Sequence, residues 1–265
     1  MPMLRYLYFT RNTILTAMSY RVDLLFNSIG NAVYLVLLYF LWNAIFDSRE
    51  VIAGKTFDDV YIKMAFASSL IVMYRTHVEW YISDDILTGD ITLHLSKPFS
   101  YQLMYFFRSI GEFVWNMVLV FLPVVLYFVL FYDSSFGWVD RILLFIVAVF
   151  FGYYIGFCID YLVGLTAFFT ESVWGASSCK DVLMMFCSGA IVPIYLFPET
   201  IKSLLISSPF YFVVHFPLDV LFDPTLDMSL VMERLVIQIF WCISLMLFGK
   251  FLTSCLVKKV TINGG

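Results

Sequence analysis

Apolar runs of about 20 residues recur from one end of this 265-residue chain to the other. That repetition restricts the fold more than any motif does. A helical run of this length matches the ~30 Å hydrocarbon core of a bilayer. Composition agrees: 62% of residues are hydrophobic and 14% charged, with a mean hydropathy of +0.88. Soluble domains average roughly 45–50% and 25%. The chain reads as an all-α polytopic membrane protein with one domain, 1–265, and no room for a second soluble one.

Six spans are expected, at 24–46, 60–82, 101–132, 142–169, 182–197 and 230–256. Residues 1–20 place Leu4, Leu7, Tyr8, Leu15 and Met18 near one helical face, so this segment reads as an interfacial helix. Arg5 and Arg11 within it, and the lack of a small-residue cleavage site, argue against a cleavable signal. The second span carries Lys63, Arg75, His77 and Glu79, so it should face protein or water rather than lipid. Pro123 should kink the third span. Before the last span, Pro198, Pro209 and Pro217 cut an apolar stretch into pieces too short to cross. The piece 198–217, marked by Pro198, Glu199, Pro209 and Phe210, is expected to be a re-entrant or interfacial hairpin tucked against protein.

Residues 83–102 form the longest polar interruption between two strongly apolar blocks. They hold Asp84, Asp85, Asp90 and Lys97, a Gly89 turn and a Pro98 stop, with Ile86, Leu87, Ile91, Leu93 and Leu95 threaded through. A plain connector needs no such pattern. The stretch reads as an amphipathic helix and turn at the membrane surface, where another protein can push on the membrane domain. With both termini on one side, ten of the sixteen Lys and Arg residues share that side, which favours cytoplasmic termini and a cytoplasmic 83–100 loop.

Catalytic motifs fail on inspection. Gly54-Lys55-Thr56 ends like a phosphate loop, but Arg49 stands where the leading glycine belongs. Gly175-Ala176-Ser177-Ser178 resembles an intramembrane protease motif without its closing glycine, and His215 is expected at the opposite membrane face. Three histidines offer no paired-histidine metal site, and the five cysteines read as free thiols packed as small hydrophobes. No basic patch of the kind nucleic acid requires is present. No catalytic and no metal residue is assigned, and no cofactor is expected on this chain.

Asp160 lies inside an apolar helix, where an ionised carboxylate costs at least a few kcal/mol unless paired. Its depth matches that of Arg75, so the two are expected to pair or to face a shared water-filled cavity. Arg75 and Glu79, four apart, are a second expected pair. Structural pairing, a substrate or proton path, and partner contact all remain open for Asp160.

The order of several short motifs resembles a known family. Gly89-Asp90-Ile91, Leu95, Pro98-Phe99-Ser100 and a closing Gly264-Gly265 match one set; Gly164-Leu165-Thr166-Ala167-Phe168-Phe169-Thr170-Glu171 matches another. Ser188-Gly189-Ala190, Val192-Pro193, Phe197-Pro198-Glu199 and Pro209-Phe210 continue it. Together they resemble the membrane subunits of ABC exporters of the type-2 permease family, in the bacterial six-span branch. Members often have Phe-Trp where this chain has Phe168-Phe169, a mild departure.

The resemblance implies a non-enzymatic permease subunit in the bacterial plasma membrane. It would form half of a path with a second permease, identical or homologous, for a hydrophobic or amphipathic cargo. ATP and Mg would be held by partner ATPase subunits, met through a coupling helix containing Asp84, Asp85, Ile86, Leu87, Gly89, Asp90 and Ile91. The rival readings are a polytopic membrane enzyme and an ATP-independent channel or scaffold, either one built on Arg75 and Asp160.

Overall fold

The computed structural model describes residues 3–19, 21–47, 49–52, 54–97, 100–131, 141–170, 172–223 and 226–257, with the side chains of 3–5, 21–25 and 27 excepted. Pro98, Phe99, the loop 133–140, Glu171, Lys258, Lys259, Gly264 and Gly265 lie outside the described residues. Among those described, every regular element is helical.

Helix α1 (Met3–Ser19) runs alongside the start of a later span. Helix α2 (Arg21–Phe46) follows it almost directly. Helix α3 (Phe57–Tyr74) opens at a capping box, in which the Thr56 amide donates to Asp59 Oδ2 at 3.0 Å and the Thr56 hydroxyl accepts from the Asp59 amide. The phosphate-loop look-alike is therefore a helix cap. Helix α3 ends at Tyr74, earlier than the expected boundary at 82, and Arg75 is extended (φ −61°, ψ 120°). Helix α4 (Val78–Thr88) resumes after a three-residue break and stops at Gly89, whose φ of +82° is the left-handed conformation glycine adopts without strain. The short α5 (Ile91–Leu95) completes this surface hairpin.

Helix α6 (Tyr101–Asn116) passes through a π-turn, Met117–Phe121, into α7 (Leu122–Phe131). The π-turn falls where Pro123 interrupts the hydrogen-bond ladder. Pro123 has no amide to give the Leu119 carbonyl four residues back, and the Ser28 hydroxyl of α2 donates there instead, at 3.1 Å. Helix α8 (Ile142–Gly164) ends in a 3-10 turn, Leu165–Phe168. Helix α9 (Trp174–Cys187) has 14 residues, about 21 Å of axis, and stops where the expected fifth span (182–197) was to be mid-course.

The proline-divided stretch folds as α10 (Glu199–Ser207), α11 (Pro209–Val213) and α12 (His215–Phe222), and α13 (Met228–Val257) closes the chain. Pro198 stands at the N-cap of α10, and Pro209 is the first residue of α11, a position that needs no amide. Glu199 is exposed, 3.5 Å from Lys202, and Phe210 is half-buried. From Tyr211 to Leu221 the chain is buried. It lies so close to α8 that a Cβ on Gly152 would meet the Val213 carbonyl at 2.6 Å. Gln238 of α13, fully buried, pins the junction by donating to the carbonyls of Ala148 and Phe212, both at 2.9 Å.

Among the described residues, four helical stretches are long and apolar enough to cross a membrane: Ser28–Phe46, Tyr101–Phe131, Ile142–Phe168 and Met228–Val257. Large apolar side chains such as Val36, Leu37, Phe40 and Leu41 on α2, and Val236, Phe240 and Phe251 on α13, point away from the protein. Such faces suit lipid and would be unusual in water. Helix α1 holds to α6 through its other side: the Thr10 hydroxyl donates to the Phe107 carbonyl at 2.6 Å and Trp115 Nε1 to that of Ile14 at 3.1 Å. Leu7, Tyr8, Leu15 and Met18 face outward together, as their spacing predicts.

Candidate functional site

A cavity of about 540 Å³ opens between α2, α3, α8 and α9, beside the α3–α4 break. Its polar wall is an ion cluster that no single element supplies. Lys180 Nζ of α9 lies 2.8 Å from Asp160 Oδ1 of α8, 2.9 Å from Glu79 Oε1 of α4 and 3.1 Å from Asp181 Oδ1. The Ser177 hydroxyl donates to Glu79 Oε1 at 3.0 Å, and the Thr76 hydroxyl to Asp160 Oδ2 at 3.0 Å. Glu79, Ser177 and Asp160 are all buried.

Two expected pairings are therefore corrected. Asp160 pairs with Lys180 rather than Arg75, although Arg75 and Asp160 do line one cavity. Arg75 is exposed at the break, and its carbonyl accepts from Asn116 Nδ2 at 3.0 Å. Helix α3 has already ended there, so Arg75 and Glu79 do not share the helical face that a spacing of four presumes. Lys180 stands two residues before the expected fifth span (182–197), outside every expected apolar run. The spacing of Ser177 and Lys180 on one helix was the available signal.

The break itself is held from α6. Glu112 Oε2 accepts from the His77 amide at 2.9 Å and lies 3.2 Å from His77 Nδ1. That hydrogen bond raises the imidazole pKa above its ordinary value, against the lowering effect of burial.

The surface hairpin divides the expected coupling residues by helical face. Asp84, Leu87, Gly89 and Asp90 are exposed, and Leu93 of α5 joins them at 61% exposure. Ile86 is half-buried. Asp85 and Ile91 turn inward: Asp85 Oδ2 accepts from the Tyr101 hydroxyl at 2.9 Å and from that of Tyr105, with His94 Nε2 3.6 Å away. Ile91, 1% exposed, packs in the core beneath. On α4 the inward face runs Val78, Ile82, Asp85, at helical spacing.

A second polar cluster borders a cavity of about 290 Å³. Asp219 of α12 accepts from Lys63 Nζ and from the Tyr211 hydroxyl, both at 2.6 Å, with Arg234 3.7 Å away. Helix α12 buries Asp219 to 9% exposure.

A family model described as "ABC-2 family transporter protein" matches residues 32–257. A comparison with curated proteins returns no match. The match takes in the break, the surface hairpin, both polar clusters, most of the first long apolar helix and the whole of the other three. With most of its length matched and its apolar helices arranged around a polar-walled cavity, the chain belongs to the ABC-2 transporter family, a family of transport membrane subunits.

Proposed function

We propose that this chain is the permease subunit of an ATP-driven exporter, forming half of the path for a hydrophobic or amphipathic cargo. A second permease, identical or homologous, supplies the other half. Helices α3 and α9 take part in a six-crossing arrangement with both termini cytoplasmic, and 198–217 forms a re-entrant or interfacial hairpin before the last span. Separate ATPase subunits carry ATP and Mg and meet the chain at α4–α5.

One observation supports the coupling role most directly. Helix α4 exposes Asp84 and Leu87 at one end, while its other end delivers Glu79 to the cavity's ion cluster. A push on the surface hairpin is thereby communicated through a rigid element of about three turns to Lys180 and Asp160. Leu87, Leu93 and the carboxylates of Asp84 and Asp90 offer apolar anchors with an acidic rim, suited to a basic groove. The rival enzyme and channel readings were built on Arg75 and Asp160, which line one cavity while Asp160 takes Lys180 as its ion partner.

The test is to purify the tagged chain from its native membrane and identify stoichiometric partners by mass spectrometry. An ATPase is expected with the wild type and not with Leu87→Asp/Leu93→Asp, provided the variant elutes and melts like wild type. Retention of the ATPase by the double variant would move the coupling site elsewhere. Purification of the wild type alone would overturn the exporter reading.

A further inference from the structure

The cavity wall carries more hydrogen-bond acceptors than the protein satisfies. Glu79, 3% exposed, gives Oε1 to Ser177 and Lys180, while its Oε2 has no partner among the described residues. Asn31, 6% exposed, uses Nδ2 on the Ser69 hydroxyl at 3.4 Å and leaves Oδ1 without a partner. Both residues line the same cavity. Buried acceptors left unmade are costly and rare, and a hydrogen-bond donor is what these two lack.

The charge points the same way. Glu79, Asp160 and Asp181 bring three carboxylates against Lys180 and Arg75. Arg75 is exposed and screened by solvent, and the lining His77 is paired outward with Glu112, so the buried part of the wall stays acidic. A bare metal ion is a poor occupant, because the Lys180 ammonium already sits among the carboxylate oxygens. Phe26, Tyr34, Trp80 and Trp174 complete the lining with aromatic faces, which attract organic cations and bury apolar bodies. The volume falls within the range of drug-sized pockets.

We infer that this cavity is a recognition site for an amphipathic organic cation that carries at least one N–H. Its ammonium or guanidinium head donates to Glu79, with Asn31 a second acceptor, and its apolar body rests on the aromatic wall. The transport meaning of the site rests on the exporter reading; binding is measurable without any partner.

The test uses the full-length chain in phosphatidylcholine nanodiscs, with empty nanodiscs as background. Monodansylcadaverine, an aromatic fluorophore ending in a primary ammonium, is titrated beside its neutral N-acetyl derivative. The amine is expected to bind about tenfold or more tightly than the acetylated probe, the increment of a desolvated charged hydrogen bond. Glu79→Gln should bring the two affinities together. Equal binding by wild type overturns the inference, as does an undiminished preference in a Glu79→Gln protein that melts like wild type. Should that variant fail to fold, Asn31→Leu replaces it, with a several-fold loss of amine affinity expected and no loss being fatal. Loss of ATPase co-purification bears on the exporter reading alone.

Discussion

Glu79 and Lys180 are joined at 2.9 Å, Oε1 to Nζ, although 101 residues separate them in the chain. The contact fastens α4, which carries the surface hairpin, to α9 in the wall of the cavity. Lys180 reaches Asp160 at the same time, so three helices meet on one ammonium.

Replacing Lys180 by Met leaves Glu79 and Asp160 buried and uncompensated. Breaking such a group from one side costs about 3–5 kcal/mol. Thermal unfolding in detergent should show a large drop for Lys180→Met, with part of it recovered in Lys180→Met/Asp160→Asn. An unchanged transition in the single variant would show that the cluster is not a packing element.

Gly152→Ala should destabilise by about 1–3 kcal/mol, because the new methyl meets the Val213 carbonyl at 2.6 Å and backbone cannot retreat cheaply. Gly156→Ala, on the same helix with nothing within 4 Å, should be neutral or up to about 1 kcal/mol stabilising through helix propensity. Paired melting curves decide it; equal effects at the two positions would deny the close approach of α11.

The two adjacent acids of the hairpin should separate cleanly. Asp85→Ala strands the Tyr101 hydroxyl, leaves that of Tyr105 only the Tyr81 carbonyl at 3.4 Å, and is expected to cost about 1–3 kcal/mol. Asp84→Ala, exposed, should stay within about 0.5 kcal/mol of wild type. Chemical or thermal unfolding of both variants is the check.

His77 supplies a pH dependence with a definite sign. Its pKa is raised in the folded chain, mainly by the hydrogen bond to Glu112. Its stabilisation is therefore complete below the ordinary imidazole value of about 6.5 and fades as pH rises through the higher folded value. The melting advantage of wild type over His77→Gln should be larger at acidic pH than at alkaline pH. A difference flat with pH would remove the imidazolium from the break.

Much of this protein is legible in its residues alone. Apolar runs announced the membrane helices, because lipid demands length and continuity that sequence displays directly. Gly89 announced the hairpin turn, the prolines announced the bounds of α10 and the start of α11, and Pro123 announced the disturbance before α7. Each of these effects is local: a φ angle or a missing amide acts on its own neighbourhood.

The break at 75–77 was not legible, since no glycine or proline stands there. Glu112 and Asn116, from another helix, take up the His77 amide and the Arg75 carbonyl that a continuous helix would have used, and Asp160 holds the Thr76 hydroxyl between them. Lys180 likewise became a cluster centre only when α9 was set against α4 and α8. Periodicity tells which face of a helix is buried, as with Asp85 and Ile91 turned inward, but not which charge waits on the helix opposite. That pairing depends on distances between segments far apart in the chain, and only the packed tertiary structure decides them.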